Sequence, residues 1–231
     1  SLDELRITGG EPMMSPNLWK LLDWIETQGD RMNPHMRIAI NSNLGAKQSI
    51  IDRFKKKLKG FKNFHLYTSM EATHKQAEYI RDGLDYGDWF SNLLHMMVDK
   101  VPSEIHNMCT INALCLETLP ELLEKMVWFK SASKVYGPTL NYTLNILRFP
   151  SFQSPLVLPD DLRNKFKGDI QKFLNNNVRH LEHMEVNQTQ RLIDYLDVVK
   201  TPHAGAAEQD KLQKDFKAFY SQYDKRSGKD F

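Results

Sequence analysis

Cysteine is nearly absent: the 231 residues contain two, Cys109 and Cys115. Two thiols make no disulfide framework, so a reducing, cytoplasmic setting is expected. The five residues between them fit none of the usual metal spacings. Both read as small buried hydrophobes, and no metal site is expected in this chain. No apolar run approaches the roughly 20 residues of a membrane span, and no signal peptide is visible. Charge of either sign is not in excess. A net charge of +2 gives no electrostatic case for nucleic acid or an anionic membrane. The longest basic run, RFKKKLKGFK (Arg53–Lys62), carries Phe54, Leu58 and Phe61 and reads as the solvated face of a helix. No Ser-His-Asp arrangement can be argued from His74 or His203, which fall in polar loops. In RHLEHME, His180 and His183 lie near one helical face with Glu182 and Glu185 but lack further metal ligands, so the stretch reads as solvated helix.

What remains is ordinary globular composition, 41% hydrophobic and 26% charged, with a regular rhythm. LRITGG reads as a short strand. Ser15 follows as N-cap and Pro16 as first helical residue, with Leu18, Leu21, Leu22 and Ile25 at helical spacing. MRIAINSN, FHLYTSME, EIHNMCTINAL and TLNYTLNIL read as four further strands. Helices are expected at about 46–58, 88–100 and after Thr118, where Thr118 and Glu121 form a capping-box pattern. One helix per crossover implies a parallel sheet wound right-handed. After Pro150 the rhythm stops. A proline-rich connector leads to helical segments near 160–176, 187–199 and 210–223, with TPHAGAAEQ (Thr201–Gln209) as a small-residue break. The expected division is 1–150 and 151–231.

Parallel strands buried on both faces are near-continuous hydrophobe, yet several here are half polar. Leu140, Tyr142, Leu144 and Ile146 share one side of their strand, and Asn141, Thr143 and Asn145 the other. Tyr67, Ser69 and Glu71 lie on one side of FHLYTSME, and Asn41 and Asn43 pair likewise. A polar inner face suits a partly open barrel holding a polar ligand at its C-terminal strand ends. An antiparallel sheet with one wet face is the alternative, and the intervening helices weigh against it. The expected fold is therefore α/β.

The densest motif is GGEP, Gly9-Gly10-Glu11-Pro12. At a strand end, two glycines let backbone approach a ligand, Glu11 offers an anion to an ammonium group, and Pro12 stiffens the exit. A plain turn would use the same residues. In context, LRITGGEPMMSPNLWKLLDWI resembles the second strand and helix of radical S-adenosylmethionine enzymes, whose GGEP segment receives the methionine amino group. INSNLG is similar to that family's third-strand TNG segment, with Asn43 in the polar place and Leu44 where the family has glycine. YTSMEATHKQAEYIRDGL resembles its fourth-strand segment. There Ser69 and Glu71 fall where the family meets the ribose and sulfonium end, and Arg81 where it pairs with the methionine carboxylate. TINALCLETLPEL is similar to the fifth strand, with Asn112 as its polar residue, and Asn145 falls on the strand after it. The tail resembles twitch-domain-containing members.

The resemblance implies a partial (β/α)6 TIM-like barrel lacking its first strand, with strands 2 to 6 in residues 1–150, plus a C-terminal helical region in 151–231. It implies an oxidoreductase-type enzyme that cleaves S-adenosylmethionine reductively to a 5′-deoxyadenosyl radical for hydrogen abstraction. The cofactors are S-adenosylmethionine and a [4Fe–4S] cluster. The partners are an external electron donor and a peptide or small-molecule substrate. The family's Cys-x3-Cys-x2-Cys loop is missing, and Cys109 and Cys115 lie on the wrong element to replace it. The loop is expected upstream of Ser1 in a longer protein, so this chain alone is expected to be inactive. Two other readings stay open: a non-catalytic degenerate barrel that binds a ligand or protein, and an unrelated (β/α) barrel enzyme.

Overall fold

Strand positions follow the alternation of branched and aromatic residues. In the computed structural model, which describes residues 2–198 and 206–229, they are β1 (Glu4–Ile7), β2 (Arg37–Asn41), β3 (Phe64–Ser69), β4 (Glu104–Ile111) and β5 (Thr139–Ile146). They form one sheet in the order β1-β2-β3-β4-β5. β1 to β4 pair in parallel, with Glu4 opposite Arg37, Ile38 opposite Phe64, His65 opposite Glu104 and Tyr67 opposite His106. Thr139 N donates to Ser103 O (3.2 Å) and Leu147 N to Ile111 O (2.8 Å), the same offset at both ends, so β5 runs parallel to β4. One face is apolar: Ile38, Ile40, Phe64, Leu66, Leu140, Tyr142 and Leu144 are fully buried. Each such side chain contributes roughly 1.5–3 kcal/mol.

The helices covering that face end where capping chemistry permits. α1 (Pro16–Gln28) starts with Ser15 Oγ accepting from Asn17 N, with proline in its first turn, and buries Leu18, Leu22 and Ile25. α2 (Gln48–Leu58) buries Ile51, Phe54 and Leu58, and Phe54 meets Phe64 edge-on at 5.9 Å. Its lysines brace neighbours: Lys57 reaches Asp23 and Glu26 of α1, each at 2.6 Å. The crossover from β3 to β4 departs from the expected single helix. It holds a short α3 (His74–Ile80) before α4 (Tyr86–Val98). The stretch THKQAEYI lacks an apolar stripe, and the polar Gln76 is among its buried residues. His74 therefore opens a helix rather than lying in a loop. α5 (Leu119–Tyr136) follows β4. Its Thr118 Oγ1 accepts from Thr73 N (3.1 Å), and Glu121 accepts from Thr73 Oγ1 (2.8 Å), so these two side chains tie down the start of α3.

Beyond two 3-10 turns, α6 (Asp160–Asn177), α7 (His183–Asp197) and α8 (Ala206–Ser227) complete the chain. The stretch RHLEHME is not one solvated helix. His180 ends a 3-10 turn, His183 begins α7, and the buried Glu185 closes a capping box with Glu182. In the TPHAGAAEQ break, residues 201–205, including His203, lie outside the described residues, and Ala206–Gln209 is already helix.

The chain forms two compact units interleaved in sequence. The first comprises Ser1–Met70, Gly83–Met108 and Trp128–Tyr142; the second comprises Glu71–Asp82, Cys109–Val127 and Thr143–Phe231. In the first, Trp89 of α4 is fully buried and its indole N–H donates to Thr68 Oγ1 (3.0 Å). In the second, α7 seals the edge of β5: Gln188 Oε1 accepts from Leu144 N (2.6 Å) and Arg191 donates to Leu144 O (2.8 Å). An edge strand otherwise presents unpaired backbone groups. Among the described residues no helix is long and apolar enough to cross a membrane.

Candidate functional site

In the first unit, Gly9, Gly10, Glu11, Pro12, Asn43 and Ser69 all sit at C-terminal strand ends. Gly9 (φ 93°) and Gly10 (φ 54°) take left-handed backbone, and a Cβ at either would meet nothing within 4 Å. The glycines are needed for conformation, and the space beside them is open. They carry the chain from β1 into a 3-10 turn (Pro12–Met14) whose N-cap is Glu11. Pro12 is buried at the first position of that turn.

Glu11 is held by three donors. Its Oε1 accepts from Met13 N (3.1 Å) and Ser42 Oγ (3.0 Å), and its Oε2 accepts from Asn43 N (2.7 Å). A carboxylate has about four acceptor positions, so one remains, on Oε2. The loop after β2 is preorganised to provide this grip. Asn43 Oδ1 accepts from Gly45 N (2.9 Å), and Ser42 Oγ accepts from Leu44 N (3.0 Å). Leu44 has φ 54°, a glycine-favouring conformation at the place where the resembling segment carries glycine. It is kept there by full burial of its side chain and by Asn92 Nδ2, which donates to its carbonyl (2.8 Å).

Ser69 is the last residue of β3, opposite Met108 of β4, and is partly exposed. One polar group of this rim was not among the expected site residues. Asn41, at the end of β2, has a buried Oδ1 with no hydrogen-bond partner among the described residues. A buried acceptor left unpaired costs about 1–3 kcal/mol, which a donor from a ligand would recover. The alternation of polar residues along β2 was the available signal.

In the second unit, Glu71 and Arg81 meet directly. Arg81 Nε (3.1 Å) and Nη2 (2.6 Å) both donate to Glu71 Oε2. Burial pushes the Glu71 carboxyl up, and the Arg81 guanidinium draws it partly back. The Nη1 end of the guanidinium takes no part in this pair. Asn112 is engaged locally, its Oδ1 accepting from Leu114 N (2.9 Å) and Cys115 N (3.2 Å) in the turn that leaves β4. Asn145 is exposed near the end of β5. Cys109 and Cys115 are buried, and burial pushes both thiols well up. They are protonated at neutral pH and unsuited to ligating iron. A cavity of about 840 Å³ lies elsewhere in the first unit, where Met32, His35, Met36, Lys57 and Phe61 line the N-terminal side of β2 and β3. It contains none of the expected site residues.

No protein-family model matches this chain, and no curated protein matches it. Among solved structures it is similar to a domain of pyruvate-formate lyase-activating enzyme from Bacteroides vulgatus ATCC 8482. That match has 11% identity, covers 73% of this chain and 93% of that one, and has a TM-score of 0.47. It is also similar to anSMEcpe with bound AdoMet and the Cp18Cys peptide, at 15% identity and a TM-score of 0.43. That match covers 75% of this chain and 48% of the longer one. At these scores the likenesses carry no argument, and the chemistry of the site rests on its own residues.

Proposed function

We propose that this chain is the cofactor-holding part of a radical S-adenosylmethionine enzyme, a partial (β/α)6 barrel without its first strand in residues 1–150 and a helical extension in 151–231. The observation that carries the reading is Glu11: a carboxylate fixed by three donors, with one acceptor position left beside an open glycine pair. That position suits an ammonium group, as on the methionine end of S-adenosylmethionine. The unpaired Asn41 Oδ1 at the same rim suits a further donor from the ligand, such as a ribose hydroxyl, and Ser69 offers a hydroxyl.

The remaining roles come from the sequence resemblance. In the second unit Arg81 is proposed to meet the cofactor carboxylate through the Nη1 end that Glu71 does not engage. Glu71, Asn112 and Asn145 are proposed to meet its sulfonium and nucleoside parts. When bound, S-adenosylmethionine and a [4Fe–4S] cluster supply reductive carbon–sulfur cleavage and hydrogen abstraction. The cluster does not fit this chain: Cys109 and Cys115 are two buried thiols where three accessible thiolates are needed. Its ligands are proposed to lie outside this chain, in a cytoplasmic protein of twitch-domain type with an external electron donor. The proposed substrate is a peptide or small molecule.

Equilibrium dialysis of labelled S-adenosylmethionine against this chain tests the reading. Saturable binding is expected, weakened about tenfold or more by Glu11→Gln, since a hydrogen bond to a charged group is worth about 1.5–3 kcal/mol. Equal binding by wild type and variant, or none by either, contradicts it.

A further inference from the structure

The parallel register of β3 and β4 assembles a group that neither strand shows alone. His65 lies opposite Glu104, and His106, two residues along β4, shares its face. One ligand atom from each of the three lies within 4.8 Å of the others. Glu104 Oε2 is 3.5 Å from His65 Nδ1 and 3.1 Å from His106 Nε2. Ligands placed about 2.0–2.2 Å from a tetrahedral zinc ion lie roughly 3.3 Å apart, so both Glu104 legs are already near that edge length.

The tautomer of His65 gives a second, independent argument. Asn63 Nδ2 donates to His35 O (3.1 Å), which orients its Oδ1 toward His65 Nε2, 3.1 Å away. His65 therefore donates from Nε2, and in the neutral ring the Nδ1 lone pair faces the Glu104 carboxylate. Two acceptors in opposition repel unless a proton or a metal ion lies between them. Metal-bound histidines characteristically donate their other ring N–H to an oxygen in this way, with that oxygen held in turn. His106 is fixed by stacking on Tyr67, with ring centroids 4.6 Å apart. Of the nearby cations, Arg6 and Arg37 share the one carboxylate of Glu4, at 3.0 and 3.1 Å, so one positive charge is left over beside the group and Glu104 is the anion facing the two imidazoles.

We infer that His65, Glu104 and His106 form a binding site for a divalent transition-metal ion, zinc by its N2O donor set, with further coordination positions open to solvent. His65 is buried, while Glu104 and His106 are partly exposed, so an ion can enter. Cobalt and nickel suit the same donors, whereas magnesium and calcium prefer oxygen.

The test is calorimetric titration of this metal-stripped chain with zinc chloride. One equivalent is expected to bind, and His65→Ala, Glu104→Gln and His106→Ala are each expected to weaken it about tenfold or more. The double variant His180→Ala/His183→Ala, which alters exposed histidines, is expected to bind as wild type does. Circular dichroism checks that each variant is folded. Should the site variants fail to fold, imidazole 15N resonances of the wild-type chain give the answer. Zinc is then expected to shift His65 Nδ1 and His106 Nε2. Absence of stoichiometric binding, binding unaffected by the three variants, or shifts centred on His180 and His183 would overturn the site.

Discussion

At the scale of single residues, Glu11 and Leu44 show how the GGEP rim is built. Glu11→Ala removes three hydrogen bonds to a charge, and a loss of about 2 kcal/mol in urea unfolding is expected because the site is only part-buried. Leu44→Gly relieves about 1 kcal/mol of left-handed strain but empties a fully buried leucine site worth about 2–5 kcal/mol. A net destabilisation of about 1–4 kcal/mol is expected from denaturant melts, and a stabilised variant would show that the burial is overestimated. Glu71 carries a pH signature. A carboxyl raised above its ordinary value near 4.5 binds its proton more tightly in the native state. Its contribution is full below that value and is lost as pH rises through the raised one. The stability of wild type minus Glu71→Gln is therefore expected to fall as pH climbs through this window, and a rise would mean that Arg81 dominates. GGEP was legible in the sequence as a motif with a chemical purpose. The His65, Glu104 and His106 group was not, because strand register appears in neither strand's own pattern.

At the scale of elements, the rim is steadied by α4 of the same unit. Asn92 holds the Leu44 carbonyl and Trp89 holds Thr68. Asn92→Ala leaves a buried carbonyl unpaired, so a loss of about 1–3 kcal/mol is expected. In a double-mutant cycle it is expected to couple to Leu44→Gly by about 0.5 kcal/mol or more, since both act on one loop. Additive losses would contradict that link. The five strands could be read from branched and aromatic alternation, and the apolar stripe of α1 and its Ser-Pro start gave its position. α3 could not be read, because seven residues with a buried glutamine carry no helical stripe and are held by Thr118 and Glu121 from elsewhere in the chain. The start of α7 was hidden for a related reason: its capping residues, Glu182 and Glu185, looked like solvated charge.

At the scale of the whole molecule, two compact units interleave in sequence, and β4 and β5 each contribute residues to both. Sequence periodicity marks where elements begin, not which elements share a core, so this was not legible. Both thiols are buried in the second unit. Neither is expected to react with iodoacetamide at pH 8 in the native chain, and both should react in denaturant, as mass spectrometry would show. Rapid native labelling would mean that this unit opens readily. The central claim, that the rim at Gly9, Gly10 and Glu11 receives an ammonium-bearing nucleoside, is tested most directly by titrating the 15N-labelled chain with S-adenosylmethionine. Amide shifts are expected to concentrate at Gly9, Gly10 and Asn43 and to be lost in Glu11→Gln. Shifts confined to the cavity of Met32, Met36 and Phe61, or none at saturating ligand, would contradict it.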